Sequence, residues 1–291
     1  MELLMSGWEN EDNMLQELKN YEGKNELISS AKMAERLAKV PTVPRYKYGI
    51  SNIDYLTEGF ETGEVIVITG WSGYGKTTFC QTMLTNFSRQ GLPILSISYE
   101  GKLSQFFRKL SNPLPNFYLP KKNKSYDMDW MEERIREAAL NHGVKVVLLD
   151  HLHFIINPPG QNMRETYMYT LQVGVLIRRI KDLAVELDVA IFLVAHCAKP
   201  PRNETGKPPP LPQKADLKDS SAVEQDSDAV YVIQRVFAKP KGIASANYEA
   251  TDETQFYIIK QRENGNLGKI AKLIYSGGEL VPKEVIDERA L

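Results

Sequence analysis

The chain carries two cysteines in 291 residues, Cys80 and Cys197. That is too few for a disulfide framework, and it suits packed thiols in a reducing compartment. Net charge is nearly absent as well: 36 basic residues stand against 37 acidic ones. A wholly basic nucleic-acid coat is excluded, so any nucleic-acid surface must be a confined patch. No apolar run reaches the roughly 18 residues that cross a bilayer. The start, MELLMSGWENED, lacks the basic region and apolar core of a secretion signal. These absences predict a cytoplasmic protein with no membrane partner. There is no internal repeat, and no third or fourth ligand stands at a sensible spacing to make His151 and His153 a structural zinc site.

What is present is an ordinary globular composition, 42% hydrophobic and 25% charged, long enough for one or two domains. Residues 1–44 are acidic, with Leu27, Ile28, Met33, Leu37 and Val40 spaced for one or two short amphipathic helices before Pro41 and Pro44 close the segment. They read as a helical arm ahead of a single domain at 45–291. From Tyr46 the pattern changes to short apolar runs, VIVIT, ILSIS, VVLLD, AIFLVA, AVYVI and QFYIIK, of the kind buried on both faces of a sheet. Helical stretches are expected at 78–89, 130–140 and 168–187. Strands alternating with helices give an α/β fold with a mainly parallel central sheet flanked by helices. The late strands follow one another without helices, which predicts an antiparallel extension at one edge. Residues 199–221 and 237–253 read as long connections.

GEVIVITGWSGYGKTTFCQ, residues 63–81, runs from an apolar strand through glycines into a helix. Gly70 to Thr77 fits G-x-x-x-x-G-K-[ST] in the context that motif requires. Gly70, Ser72, Gly73, Tyr74 and Gly75 would turn backbone N–H groups around phosphate oxygens, with Lys76, Thr77 and Thr78 at the positive end of the helix. Lys76 would reach the β and γ phosphates of ATP or another nucleoside triphosphate, and the Thr77 hydroxyl would ligate Mg²⁺.

Such a site also needs a carboxylate for the metal and a group to orient the attacking water. Asp150 ends VKVVLLD and Glu100 ends ILSISYE, so both should emerge at the edge of the sheet that carries the glycine loop. Asp150 is assigned to Mg²⁺ and Glu100 to the water as base. Alone, either could be a solvated strand-end acid. His196, ending AIFLVAH, either senses the γ phosphate by hydrogen bonding or is satisfied locally.

Several motifs together resemble the helicase half of the phage primase-helicases, the mitochondrial Twinkle helicase and, more distantly, the bacterial DnaB replicative helicases. The resemblance runs from about Tyr46 to the C-terminus through SYE, LLDHLHF, FLVAH, DLKDSSAVEQDSDAVYVIQR and IIKQRENGNLGKI. It implies a RecA-like ATPase core that forms rings, usually hexamers, and moves on single-stranded DNA while separating a duplex in replication. It also implies a self-associating chain, with a separate primase, loader or polymerase as partner.

By the same resemblance Lys260 and Arg262 reach a neighbouring subunit's γ phosphate, and Arg235 and Tyr275 sandwich the nucleotide base. Without it, Lys260 and Arg262 are an exposed pair on an edge strand. The long connection after His196 matches the family's central-channel loop. Over residues 199–218, Lys199, Arg202, Lys207, Lys214 and Lys218 stand against Glu204 and Asp216. These cations would contact DNA phosphates without reading sequence. The family's DLRGSG is here DLKDSS, which loses both glycines and adds Asp219. No primase domain, zinc motif or DnaB-like helical N-domain is expected ahead of the motor. Two other readings compete: a RecA-like recombination mediator that forms filaments, and a nucleotide-gated scaffold or loader.

Overall fold

The computed structural model describes residues 29–38, 44–99, 114–151, 155–156, 163–197, 208–213, 216, 223, 225–240, 247–263 and 265–283. The chain divides into two compact units, Met1–Pro44 and Arg45–Leu291. In the first, α1 spans Ser30–Leu37, and the Ser29 hydroxyl accepts a hydrogen bond from the Lys32 N–H.

The second unit holds α2 (Ser51–Thr57), β1 (Val65–Thr69), α3 (Lys76–Arg89), β2 (Ile94–Ser98), β3 (Phe117–Tyr118), α4 (Met128–His142), β4 (Val146–Asp150), α5 (Met163–Leu187), β5 (Ala190–Val194), β6 (Ala229–Ala238), β7 (Glu249–Gln261), β8 (Ile270–Ser276) and β9 (Glu279–Pro282). One nine-stranded sheet runs in the order β3-β2-β4-β5-β1-β6-β7-β8-β9. Pairing is parallel from β3 to β6 and antiparallel from β6 to β9. The expected antiparallel extension is therefore there.

Every residue of β1 is buried, and successive residues serve opposite faces. Val65 and Val67 join a core with Leu95, Val147, Ile191 and the α4 and α5 residues Ile135, Val173, Ile177 and Ile180. Ile66 and Ile68 join Phe79, Met83 and Phe87 of α3, with Tyr48, Phe60 and Phe192. Period-2 alternation on a strand covered on both sides explains why the runs are apolar throughout.

Element ends differ from expectation where a cap decides them. Helix α4 starts at Met128 rather than 130 because the Asp127 carboxylate accepts from the Trp130 N–H at 2.9 Å. It stops at Gly143, whose φ of +63° ends the helix in the left-handed region. Helix α3 starts at Lys76, two residues early, with Gly75 as its cap, and α5 starts at Met163. Part of the expected 237–253 connection is strand: β6 continues to Ala238 and β7 begins at Glu249. The outer part of β7, Glu249–Glu253, is largely polar and exposed, so its apolar signal is too thin to read.

Candidate nucleotide-binding site

Strand β1 delivers the glycine loop and helix α3 receives it. Gly70 has φ +147°, and a Cβ there would lie 2.3 Å from the Ile233 carbonyl oxygen of β6. Only glycine lets the loop turn this close to the neighbouring strand. The first helical hydrogen bond runs from the Phe79 N–H to the Gly75 carbonyl at 2.9 Å. The preceding N–H groups of the first turn have no acceptor inside the helix, which makes this terminus a donor cluster with the positive end of the helix dipole behind it.

Ser72, Gly73, Gly75, Lys76, Thr77 and Thr78 line a cavity of about 220 Å³ together with His151, His196 and Arg235. This is smaller than the roughly 300–1,000 Å³ usual for a whole small-molecule site. It suits a phosphate chain better than a complete nucleotide. Lys76 is buried, and its ammonium donates to the carbonyls of Gly70 at 2.8 Å and Trp71 at 3.1 Å. The Trp71 indole N–H in turn donates to the Pro210 carbonyl at 2.9 Å, which ties the glycine loop to the long connection between β5 and β6. The Tyr74 ring packs on Phe237 at 5.2 Å between centroids.

Asp150 ends β4 as expected. The Ser98 hydroxyl donates to its carboxylate at 3.2 Å, and His151 Nε2 lies 3.4 Å from the other oxygen. His151 is buried and stacks on His196, with centroids 4.0 Å apart and planes 19° apart. The strand ends of β4 and β5 thus place two imidazoles side by side against the phosphate cavity. His196 was legible as a strand-end residue; His151 was weighed in sequence only with His153 as a zinc pair, not as a partner of His196. Cys197 Sγ sits 3.3 Å from the Thr69 hydroxyl, and burial raises its thiol above the ordinary range. Cys80 is fully buried in α3 and is pushed up further by the same cause.

The other expected groups divide three ways. Arg235 lines the cavity, with its Nε donating to the Thr251 carbonyl across the β6–β7 hairpin at 2.8 Å. Tyr275 is about half exposed on β8, outside the residues that line the cavity. Of the pair expected to sandwich the base, Arg235 alone lines this cavity. Lys260 and Arg262 end β7 at the opposite edge of the sheet: the Arg262 N–H bonds the Asp228 carbonyl, and the Asp228 N–H bonds the Val65 carbonyl at the start of β1. The glycine loop leaves the far end of that strand, on the order of 15 Å away. Glu100, His153, Lys199, Arg202, Lys207, Lys214 and Lys218 lie outside the described residues.

Among the described residues no three His, Cys, Asp or Glu side chains cluster as a metal cage. Mg²⁺ does not need one. It is usually held by one or two carboxylates together with substrate phosphates and water, and the Thr77 hydroxyl and Asp150 carboxylate are the donor types that arrangement uses. Among the described residues no helix is long and apolar enough to cross a membrane.

A glycine loop between a buried parallel strand and a helix, with a buried lysine and an acid ending a nearby strand, defines a P-loop nucleotide-binding protein. Comparison with known proteins narrows the class. The model of the DnaB-like helicase C-terminal domain matches residues 113–278, more than half of the chain, and a second model, described as KaiC, matches residues 46–113. The chain belongs to the DnaB-like helicase C-terminal domain family.

A probable replicative DNA helicase of Trieres chinensis is 25% identical over 261 residues, covering 79% of this chain and 55% of that protein. Replicative DNA helicase DnaB of Pasteurella multocida is 22% identical over 262 residues, covering 79% and 53%. The chain thus spans about half the length of the curated relatives it matches. A DnaB-like replicative helicase, solved in a study of its interactions with primase, superposes with a TM-score of 0.66 at 16% identity, covering 94% of this chain and 71% of that one. A KaiC-like protein of the hyperthermophilic archaeon Pyrococcus horikoshii superposes at 0.60 and 19% identity, covering 84% and 100%. These likenesses show the RecA-like fold of DnaB and KaiC ATPases.

Proposed function

We propose that this chain is the motor of a ring-forming, ATP-dependent DNA helicase that hydrolyses ATP at subunit interfaces and moves on single-stranded DNA in replication. One observation carries the reading. The phosphate cavity and the Lys260–Arg262 pair sit at opposite edges of one sheet, so the pair can serve a nucleotide only when that nucleotide is held by another copy.

In this mechanism the Gly70–Thr78 backbone and Lys76 hold the triphosphate, and Arg235 borders the base. Thr77 and Asp150 would hold Mg²⁺, which would supply positive charge beside the β and γ phosphates. Glu100 orients water in line with the γ phosphorus. A bond forms from the water oxygen to that phosphorus, with the water's proton passing to the Glu100 carboxylate, as the bond to the β–γ bridging oxygen breaks and ADP leaves. Arg262 of the neighbour, planar and permanently charged, stabilises the charge spread over the moving phosphoryl group, with Lys260 beside it. His196, stacked on His151, follows the γ phosphate and borders the segment leading to residues 199–218. Lysines of that segment hold DNA phosphates, and a separate primase, loader or polymerase completes the replication machinery. The matched family favours this reading over a RecA-like filament protein.

The test is ATP hydrolysis with and without single-stranded DNA, run beside sedimentation with and without nucleotide. The reading expects DNA to raise turnover and a discrete ring-sized species to form. A flat DNA response contradicts the motor, and open-ended filaments without unwinding of a forked duplex favour the mediator.

A further inference from the structure

At the lower edge of the sheet, the strand ends opposite the glycine loop, the Asp228 side chain joins β1, α5 and Arg262. One carboxylate oxygen accepts from the Val65 N–H at 2.8 Å and from the Lys181 ammonium of α5 at 2.7 Å; the other accepts from Arg262 at 3.1 Å. Its flanking backbone also accepts from the Lys260–Arg262 pair. The Gln225 carbonyl accepts from Arg262 at 2.5 Å and from Lys260 at 3.2 Å, and the Ser227 carbonyl accepts from Lys260 at 2.6 Å. Asp226 pairs with Arg178, one turn before Lys181 on α5. Residues 225–228 are thus pinned to β1 and α5 and, in turn, hold both cations.

The donor count shows what this holding leaves. A guanidinium has five N–H groups in a fixed plane. The Asp228 and Gln225 bonds engage one N–H on each terminal nitrogen, and the Arg262 side chain remains 49% exposed. Two fixed points orient a planar group while three N–H groups stay available. Charge works in the same direction, since the Asp228 carboxylate pairs with both Lys181 and Arg262 and offsets part of the cost of gathering those cations at one edge.

From this geometry we propose that Asp228 is a positioning residue. It fixes the orientation in which Arg262, with Lys260, is presented to the nucleotide of the adjoining subunit. The proposal rests on the reading of Arg262 as acting on a neighbour. Because Asp228 never touches the nucleotide of its own subunit, its loss should lower turnover while sparing nucleotide binding, and the defect should be curable from outside.

The test is Asp228→Asn in the full chain, measured beside Arg262→Ala and Lys181→Gln. Asp228→Asn is expected to lower kcat at least tenfold, with KM for ATP and the affinity for a fluorescent ADP analogue within twofold of the parent. Lys181→Gln keeps the Asp228–Arg262 contact and should leave kcat within about twofold. Mixing Asp228→Asn with Lys76→Ala subunits, which carry an intact 225–228 bracket, should restore turnover. Mixing it with Arg262→Ala subunits should not. A merely structural loss would not follow that pattern. If Asp228→Asn does not fold, Asp228→Glu, which keeps the charge one methylene further out, is put through the same measurements with the same outcomes expected. An inactive Arg262→Ala beside an Asp228 variant of unchanged kcat overturns the positioning role alone, as does a loss that Lys76→Ala subunits fail to restore. An Arg262→Ala chain that turns over at the parent rate overturns the action on a neighbour, and this proposal with it.

Discussion

The two edges of the sheet treat their cations in opposite ways. At the upper edge Lys76 is 5% exposed and bonded to its own loop, in a cavity bordered by two stacked imidazoles. At the lower edge Arg262 is half exposed, fastened at two points and open at the rest. A buried lysine is built to receive a ligand, and a half-exposed forked cation with fixed orientation is built to be delivered to one. On the proposed reading, the difference teaches that the chain carries two halves of one chemistry, facing away from each other along the same strands. Closing such a heterologous contact around a ring, or leaving it open in a filament, is a matter of the rotation between subunits.

The largest expected effect breaks the upper edge alone. Lys76→Ala should lower nucleotide affinity and reduce turnover by at least about 100-fold, with the fold kept, as measured by titration with a fluorescent ADP analogue and by steady-state hydrolysis. Next comes the backbone that shapes that edge. Gly70→Ala must place a Cβ 2.3 Å from the Ile233 carbonyl at a φ of +147°, whereas at Gly73 no atom lies within 4 Å of the added carbon. Gly70→Ala should cost clearly more than the roughly 1–2 kcal/mol of a left-handed alanine, and Gly73→Ala close to that figure, as denaturant midpoints would record. Equal losses at the two positions would contradict the close approach of β1 and β6.

The smallest effect sharpens the lower edge. Burial, with Glu263 and Asp228 nearby, raises the Glu64 carboxyl to about 7. The folded chain therefore holds that proton more tightly than the unfolded one, and stability falls as pH rises from the ordinary carboxylate range through 7. Glu64→Gln should remove that slope. At pH 8 it should stabilise the protein by on the order of 1–2 kcal/mol, discounted for partial exposure, a melting-temperature gain of a few degrees. An unchanged pH profile of melting temperature would show that Glu64 ionises normally.

The upper edge was largely legible from sequence, because its signals are local. Gly70 to Thr77 is one contiguous motif, and Asp150 and His196 are polar residues ending apolar runs, so topology alone brings them to the same edge. The strands were legible for a related reason: residues buried on both faces leave no polar interruption. The lower edge was legible only in part: the resemblance named Lys260 and Arg262 but not what holds them. Asp228 sits in EQDSD, which the resemblance marks as a family signature, but its work depends on Val65, Lys181 and Arg262, residues far apart in the chain. The pairing of His151 with His196 depends likewise on β4 and β5 lying side by side. The outer part of β7 was missed because a largely exposed, polar strand such as Glu249–Glu253 has the composition of a loop.

The central claim, that the two edges meet across a subunit interface, is tested most directly by mixing Lys76→Ala and Arg262→Ala chains. Each alone should be inactive, the first for want of a phosphate site and the second for want of a delivered cation. In an equal mixture that has exchanged subunits, about a quarter of the interfaces pair an intact Lys76 with an intact Arg262 if assembly is random around a heterologous ring. The account predicts DNA-stimulated ATP hydrolysis rising from near zero toward that fraction of the parent rate. Hydrolysis that stays at the level of the separate variants, in a mixture shown by labelled subunits to have exchanged, would contradict it.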